Sequence, residues 1–231
     1  HEGITGADWS DWESGAGAAD RAAAARADFH APACDSTATP IKPQRAAKEI
    51  QALVDADTVV TADSGNNRFW LLNYLQTPAT RTYFGSGGVG CMGWAAPAAV
   101  AAAIATDRDA IAVAGDGGFA MTMTSVETAV EYGVAPLFVV LNDTSLGMVR
   151  QMQGEGEIAG VEFHDTDFVR AAEAFGAVGR RVDDPDDLAD VLADGKAADE
   201  PFVVDVRIDR EEDMAAMLQS SFYESVGGLH E

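Results

Sequence analysis

Ile111-Ala112-Val113-Ala114-Gly115-Asp116-Gly117-Gly118 and, downstream, Leu137-Phe138-Val139-Val140-Leu141-Asn142-Asp143 are the two stretches whose reading decides the fold. Each is a short run, apolar at successive positions, that stops at small and polar residues. A strand with one wetted face alternates, whereas a strand apolar throughout belongs in a parallel sheet covered on both faces. Between the two runs, Thr124 with Glu127 reads as a capping box for a helix through Glu131, with Gly133 as its C′ stop. Strand, helix, strand is the repeating unit of an α/β fold.

The same alternation extends outward. Pro43 opens a predicted helix with Ala47, Ile50, Leu53 and Val54 on one face. Thr58 to Ala62 reads as a short strand ending at the polar loop Asp63-Ser64-Gly65-Asn66-Asn67. Ala95 to Thr106 reads as a buried, alanine-rich helix, Phe168 to Phe175 and Pro185 to Leu192 as further helices, and Phe202 to Ile208 as a last strand. The expected class is therefore α/β, a three-layer, doubly wound, mostly parallel sheet with helices on both faces. Residues 1–40, with a weak helix around Ala18 to Phe29, are expected to be the tail of a preceding domain plus a linker. Residues 41–208 form the site-bearing domain, and 209–231 a C-terminal helical extension. The chain begins at His1, in a polar stretch with Trp9 and Trp12, and this reads as the middle of a longer polypeptide.

The charge bounds the partners. With 38 acidic and 15 basic residues the net charge is −23, a field that repels nucleic acid and anionic membrane. The carboxylates are spread along the chain, as in the surface of a halophile-type protein kept hydrated in salt. A binding face for a basic partner is the rival reading. Two cysteines, Cys34 and Cys91, make no disulfide scaffold, and a cytoplasmic location is expected. Cys91 is expected to be a small buried residue. The longest apolar run, Ala95 to Ala105, is too short to span a bilayer.

Parallel sheets bind ligands beyond the carboxyl ends of their strands, and three polar segments leave such ends: Asp63 to Asn67, Gly115 to Gly118, and Asn142-Asp143. Glycines let backbone amides approach an anion closely. A carboxylate among them suits a phosphate only if a hard divalent cation lies between the two. Asp116 and Asp143, brought together by a βαβ unit, could share one Mg²⁺. Taken singly, Gly-Asp-Gly reads as a tight turn and Asn-Asp as a helix cap; the cation reading rests on their combination and spacing.

Gly115-Asp116-Gly117, with 24 residues intervening before Asn142-Asp143, resembles the magnesium and thiamine-diphosphate motif of thiamine-dependent enzymes. Ser86-Gly87-Gly88-Val89-Gly90-Cys91-Met92-Gly93, Gly117-Gly118-Phe119-Ala120-Met121-Thr122, Glu127-Thr128-Ala129-Val130-Glu131-Tyr132 and Leu146-Gly147-Met148-Val149-Arg150-Gln151 are similar to segments of the acetolactate synthase group. The resemblance runs from about Pro40 to Ile208, the extent of that group's C-terminal cofactor-binding domain. It implies side-chain Mg²⁺ ligation by Asp116 and Asp143 and a backbone carbonyl from Ser145. The group commonly has Asn where Asp143 stands. It also implies diphosphate contacts from Gly117, Gly118 and the Ser64-Gly65-Asn66-Asn67 loop, and a Gly90 carbonyl for the cofactor's 4′-amino group. Met92 is implied as the apolar wedge under the bent cofactor, although on its own it reads as core filler. Met148 is the residue expected to touch substrate or the thiazolium ring.

The implied activity is a 2-oxoacid decarboxylating carboligase. A simple 2-oxoacid decarboxylase and a non-catalytic cofactor-binding module remain as alternatives. A nicotinamide-binding domain is excluded, because Asp116 interrupts the glycines where a Gly-x-Gly-x-x-Gly run is needed. No catalytic side chain is assigned here: in the resembled group an activating glutamate comes from an N-terminal pyrimidine-binding domain on a neighbouring subunit. That domain, or a second subunit, and a homo-oligomer are expected partners, and FAD is possible in the full-length protein. Met152 stands where the group usually has Trp, which leaves the product open. His30 and His164 have no evident partner constellation, and Arg150 reads either as a substrate-carboxylate contact at the site mouth or as a salt-bridging residue.

Overall fold

The computed structural model describes residues 32–212 except 107, 155 and 157. The expected helix at Ala18 to Phe29 and most of the C-terminal extension therefore lie outside the described residues. Six strands form one sheet: β1 (Val59–Ala62), β2 (Tyr83–Gly85), β3 (Ala110–Gly115), β4 (Leu137–Asn142), β5 (Val178–Val182) and β6 (Phe202–Arg207). Their order is β2-β1-β3-β4-β6-β5, and every pairing is parallel.

The two-sided apolar runs explain why. In β3, Ile111 and Val113 face one side while Ala110, Ala112 and Ala114 face the other; in β4, Leu137, Val139 and Leu141 oppose Phe138 and Val140. The first face packs against α1 (Pro43–Ala52), α2 (Asn66–Tyr74) and α8 (Leu188–Ala197), through Ile50, Leu71, Leu188 and Leu192. The second packs against α3 (Ala95–Ala105), α4 (Asp116–Thr122), α5 (Ser125–Tyr132) and α7 (Phe168–Ala174). The alanines of β3 meet the alanines of α3, and the absence of long side chains on both lets helix and sheet approach closely. Phe119 fills the remaining space, edge-on to Phe168 with ring centroids 5.4 Å apart.

Several local expectations need correction. The segment Asp63 to Asn67 is not wholly loop, because Asn66 and Asn67 already form the first turn of α2. Likewise Asp116, Gly117 and Gly118 open α4 instead of a loop. The Thr124 capping box does not form. Thr124 has helical backbone angles (φ −60, ψ −16), and the N–H groups of Val126 and Thr128 donate to the Met123 and Thr124 carbonyls. An N-cap needs a non-helical residue, and here α4 runs almost directly into α5. Gly133 does end α5 in the left-handed conformation, φ 63. The helix expected from Pro185 starts at Leu188. Cys91 is exposed, not buried, because it lies in the glycine-rich segment between β2 and α3, outside both core clusters. No helix among the described residues is long and apolar enough to cross a membrane.

Between β1 and β3 the chain order reverses: β1 leads outward to β2, then the chain returns to β3 on the opposite side of β1. The crevice at such a reversal is where open α/β sheets bind ligands.

Candidate functional site

A cavity of about 280 Å³ opens at the carboxyl edge of β1, β3 and β4. Ser64, Gly65, Asn66 and Asn67 line it from the entry and first turn of α2, Asp116, Gly117 and Gly118 from the start of α4, Asp143 and Ser145 from the turn after β4, and Met148 from α6 (Gly147–Gln153). Gly90 and Met92 close one side. Every residue assigned a cofactor or cation role by the sequence thus lines one cavity. Leu141, Leu146, Gly147, Val149 and Ile208 also line it and carried no such assignment.

Asp116 leads the electrostatics. It is 5% exposed, and its carboxyl is pushed up to about 7, first by burial and second by the nearby charge of Asp143. The Gly117 amide and the more distant Arg207 act in the opposite direction. Asp143 is also raised, by burial; its Oδ1 accepts from the Ser145 N–H and hydroxyl, both at 2.9 Å. Among the described residues neither carboxylate takes a hydrogen bond from Lys or Arg. Two converging, desolvated acids without a bonded cation are unfavourable as they stand, and a divalent ion between them would relieve both burial and repulsion. Asn66 and Asn67 each add a buried side-chain oxygen with no hydrogen-bond partner. No group of three His, Cys, Asp or Glu side chains gathers among the described residues. An ion held by Asp116 and Asp143 would take its remaining ligands from backbone or amide oxygens, substrate oxygens and water.

The glycines are required by close approach. A Cβ on Gly118 would stand 2.5 Å from Asp63 Oδ2, and one on Gly117 would stand 2.8 Å from Leu146 Cδ2 and 3.1 Å from Phe163 Cε2. Gly147 is equally constrained, its added Cβ meeting Asp143 Oδ2.

Asp63 is the main residue that sequence reasoning passed over. Although buried, it accepts from the Ser64 N–H (2.8 Å), the Gly93 N–H (2.9 Å) and the Trp94 N–H (3.2 Å). It joins the end of β1 to the entry of α3 and packs against Gly118, so it locks three walls of the cavity together. Burial nonetheless raises its carboxyl above the usual range. The signal was an acid directly at a strand's carboxyl end.

Asn142, by contrast, turns away from the cavity. Its Nδ2 donates to Asp205 Oδ1 (2.8 Å), and its Oδ1 accepts from Arg207 (2.9 Å) and the Thr144 N–H (3.1 Å). Arg150 donates to Glu211 at 2.9 Å, which matches the salt-bridging alternative. Met152, on α6 (Gly147–Gln153), is 81% exposed, and His164 is exposed in a loop.

Residues 63–206 match the family described as "Thiamine pyrophosphate enzyme, C-terminal TPP binding domain". A probable acetolactate synthase large subunit of Methanococcus aeolicus is 34% identical over 189 residues, 77% of this chain and 31% of that protein. An acetolactate synthase of Bacillus subtilis is 35% identical over 170 residues, 72% of this chain and 30% of that protein. Among solved structures, the thiamine diphosphate-dependent 4-hydroxybenzoylformate decarboxylase of Rhodococcus jostii RHA1 superposes with a TM-score of 0.72 at 25% identity, over 77% of this chain and 34% of that one. The chain spans about a third of the length of the curated relatives it matches.

Proposed function

We propose, from the premise that this chain belongs to the thiamine pyrophosphate enzymes and carries their C-terminal TPP-binding domain, that its cavity holds thiamine diphosphate through one Mg²⁺. Asp116 and Asp143 ligate the ion by their carboxylates and Ser145 by its carbonyl. Gly117, Gly118 and the Ser64 to Asn67 segment hold the diphosphate, the Gly90 carbonyl takes the 4′-amino group, and Met92 supports the bend. The observation that carries this reading is the paired, desolvated Asp116 and Asp143 beside glycines that admit no side chain.

When bound, the cofactor supplies an electron sink for breaking the bond between a 2-oxoacid's carboxyl and carbonyl carbons. The residues of this chain anchor and orient. Asp116 and Asp143 would hold the ion and balance its charge, Asp63 keeps the cavity walls in register, and Met92, Leu146 and Met148 would exclude water around the reacting ring. Met148, at the start of α6, faces the acceptor. Among the described residues no acid is assigned to the pyrimidine; a glutamate from a further domain or subunit would activate it, with residues 41–208 acting as the cofactor-binding domain of an oligomer.

The reaction of the complete protein is a decarboxylating carboligation, the activity class of the acetolactate synthases that this chain resembles over 77% of its own length and 31% of theirs. The likeness to a 4-hydroxybenzoylformate decarboxylase and the exposed Met152 favour simple decarboxylation as the second reading. Product analysis of the complete protein with pyruvate separates them: ligated 2-hydroxy-3-oxo products support the first and free aldehyde the second. For the site itself, calorimetric titration of thiamine diphosphate should give Mg²⁺-dependent binding that Asp116→Ala abolishes. Binding that survives either EDTA or that substitution overturns the assignment.

A further inference from the structure

The turn that carries Asp143 holds an unfavourable backbone. Thr144 lies at φ 58, in the left-handed region, where a β-branched side chain crowds the main chain. Such a conformation persists where the surroundings over-determine it. Two constraints are local to the fold: the Thr144 N–H donates to Asn142 Oδ1, and Thr144 O accepts from the Phe163 N–H at 2.9 Å.

The third constraint is Arg210, which lies past the end of β6 and outside the family-matched residues. Its Nη2 donates to Asp143 O at 2.9 Å and to Thr144 Oγ1 at 2.8 Å, with Thr144 O farther off at 3.4 Å. Its Nε donates to Asp143 O at 3.2 Å, and its Nη1 reaches Glu162 Oε1 at 3.3 Å. A planar guanidinium presents donors in a fixed fork and can serve these acceptors together; an ammonium group acts as a compact point charge on a flexible stem.

We infer that Arg210 is a positioning residue for the cation site, fixing the Asp143-Thr144-Ser145 turn so that the Asp143 carboxylate and the Ser145 carbonyl are held ready for Mg²⁺. The inference rests on the reading of Asp143 and Ser145 as ligands. Arg210 grips the main chain and not the carboxylate, whose Oδ1 already accepts from Ser145. Its hydrogen bonds act on metal affinity through backbone geometry, while its charge also favours the ionised Asp143 carboxylate through space.

The test is titration of Mg²⁺ into the full 231-residue chain at saturating thiamine diphosphate, comparing Arg210→Lys and Arg210→Met in the parental and Thr144→Gly backgrounds. Metal-free melting verifies that each variant folds. Both substitutions should weaken Mg²⁺ binding about tenfold or more in the parent, as for other residues that orient metal ligands. In the Thr144→Gly background, where the turn needs no restraint, the loss should shrink to less than about threefold, a coupling between neighbours. Parental affinity in Arg210→Lys, or an equal loss in both backgrounds, overturns the inference. Asp116→Ala serves as the control: if the parent binds Mg²⁺ and this variant does not, the site reading stands and Arg210 is judged alone. If the parent does not bind Mg²⁺ with the cofactor, the site reading fails and the inference falls with it.

Discussion

Replacing Asp116 by Asn should stabilise the metal-free chain while abolishing its cofactor binding. In the folded protein the Asp116 carboxyl is raised from 3.8 to about 7 by burial and by Asp143. A raised acid disfavours folding when ionised. Its cost begins above the unfolded value, grows as pH rises toward about 7, and is constant beyond. The shift is about 3 units, and each unit is about 1.4 kcal/mol, so the ceiling is roughly 4 kcal/mol above neutral pH. Asparagine keeps an oxygen for the Gly117 amide and carries no charge. Allowing about half the ceiling, a gain of about 2 kcal/mol raises the melting temperature of a domain this size by about 4–8 °C. The assay is thermal unfolding in EDTA from pH 5 to 8. The parent should lose stability across that window, and Asp116→Asn should lose less of it. A variant that melts at or below the parent at pH 7.5 would refute the argument that burial and the neighbouring Asp143 make an ionised Asp116 costly in the folded chain.

Other substitutions probe neighbouring parts. Gly118→Ala puts a Cβ 2.5 Å from Asp63 Oδ2 and should cost about 1–3 kcal/mol, the usual range for overpacking, read by urea unfolding; parental stability contradicts the packing account. Met148→Ala in the complete protein should change the ratio of acceptors used more than it changes the affinity for thiamine diphosphate, and the reverse result removes Met148 from the acceptor side. Raising KCl from about 0.1 to 1 M shortens the screening length from about 10 to 3 Å, so a chain of net charge −23 should melt higher in the stronger salt. A lower melting point would argue against a surface adapted to salt.

The central fold was legible because β3 and β4 bury both faces, and their apolar runs end where the cavity begins. Less regular elements were hidden for physical reasons. Strand β2 has only three residues, Tyr83 to Gly85, and lies at the sheet edge. Strand β5 is the opposite edge and exposes Arg180 and Arg181 to solvent, Arg181 also donating to Asp165, so its sequence lacks the apolar run of an interior strand. Helix α2 is entered through its N-cap Gly65 and opens with Asn66-Asn67, residues that locally favour turns; burial of Trp70 and of Leu71, which packs in the core beneath the sheet, commits it to helix. The residues lining the candidate cavity were legible as a motif, but what holds them was not. Asp63 acts on amides 30 and 31 residues away, and Arg210 on carbonyls 67 and 66 residues away. Such contacts leave no local pattern in the sequence.

The most direct measurement is anomalous diffraction from crystals of the chain grown with thiamine diphosphate and Mn²⁺ in place of Mg²⁺. The account predicts one strong peak within ligation distance of the Asp116 and Asp143 carboxylates and the Ser145 carbonyl, adjoining the diphosphate. Cofactor density in the cavity with no peak there, or a peak bound by other residues, would contradict it.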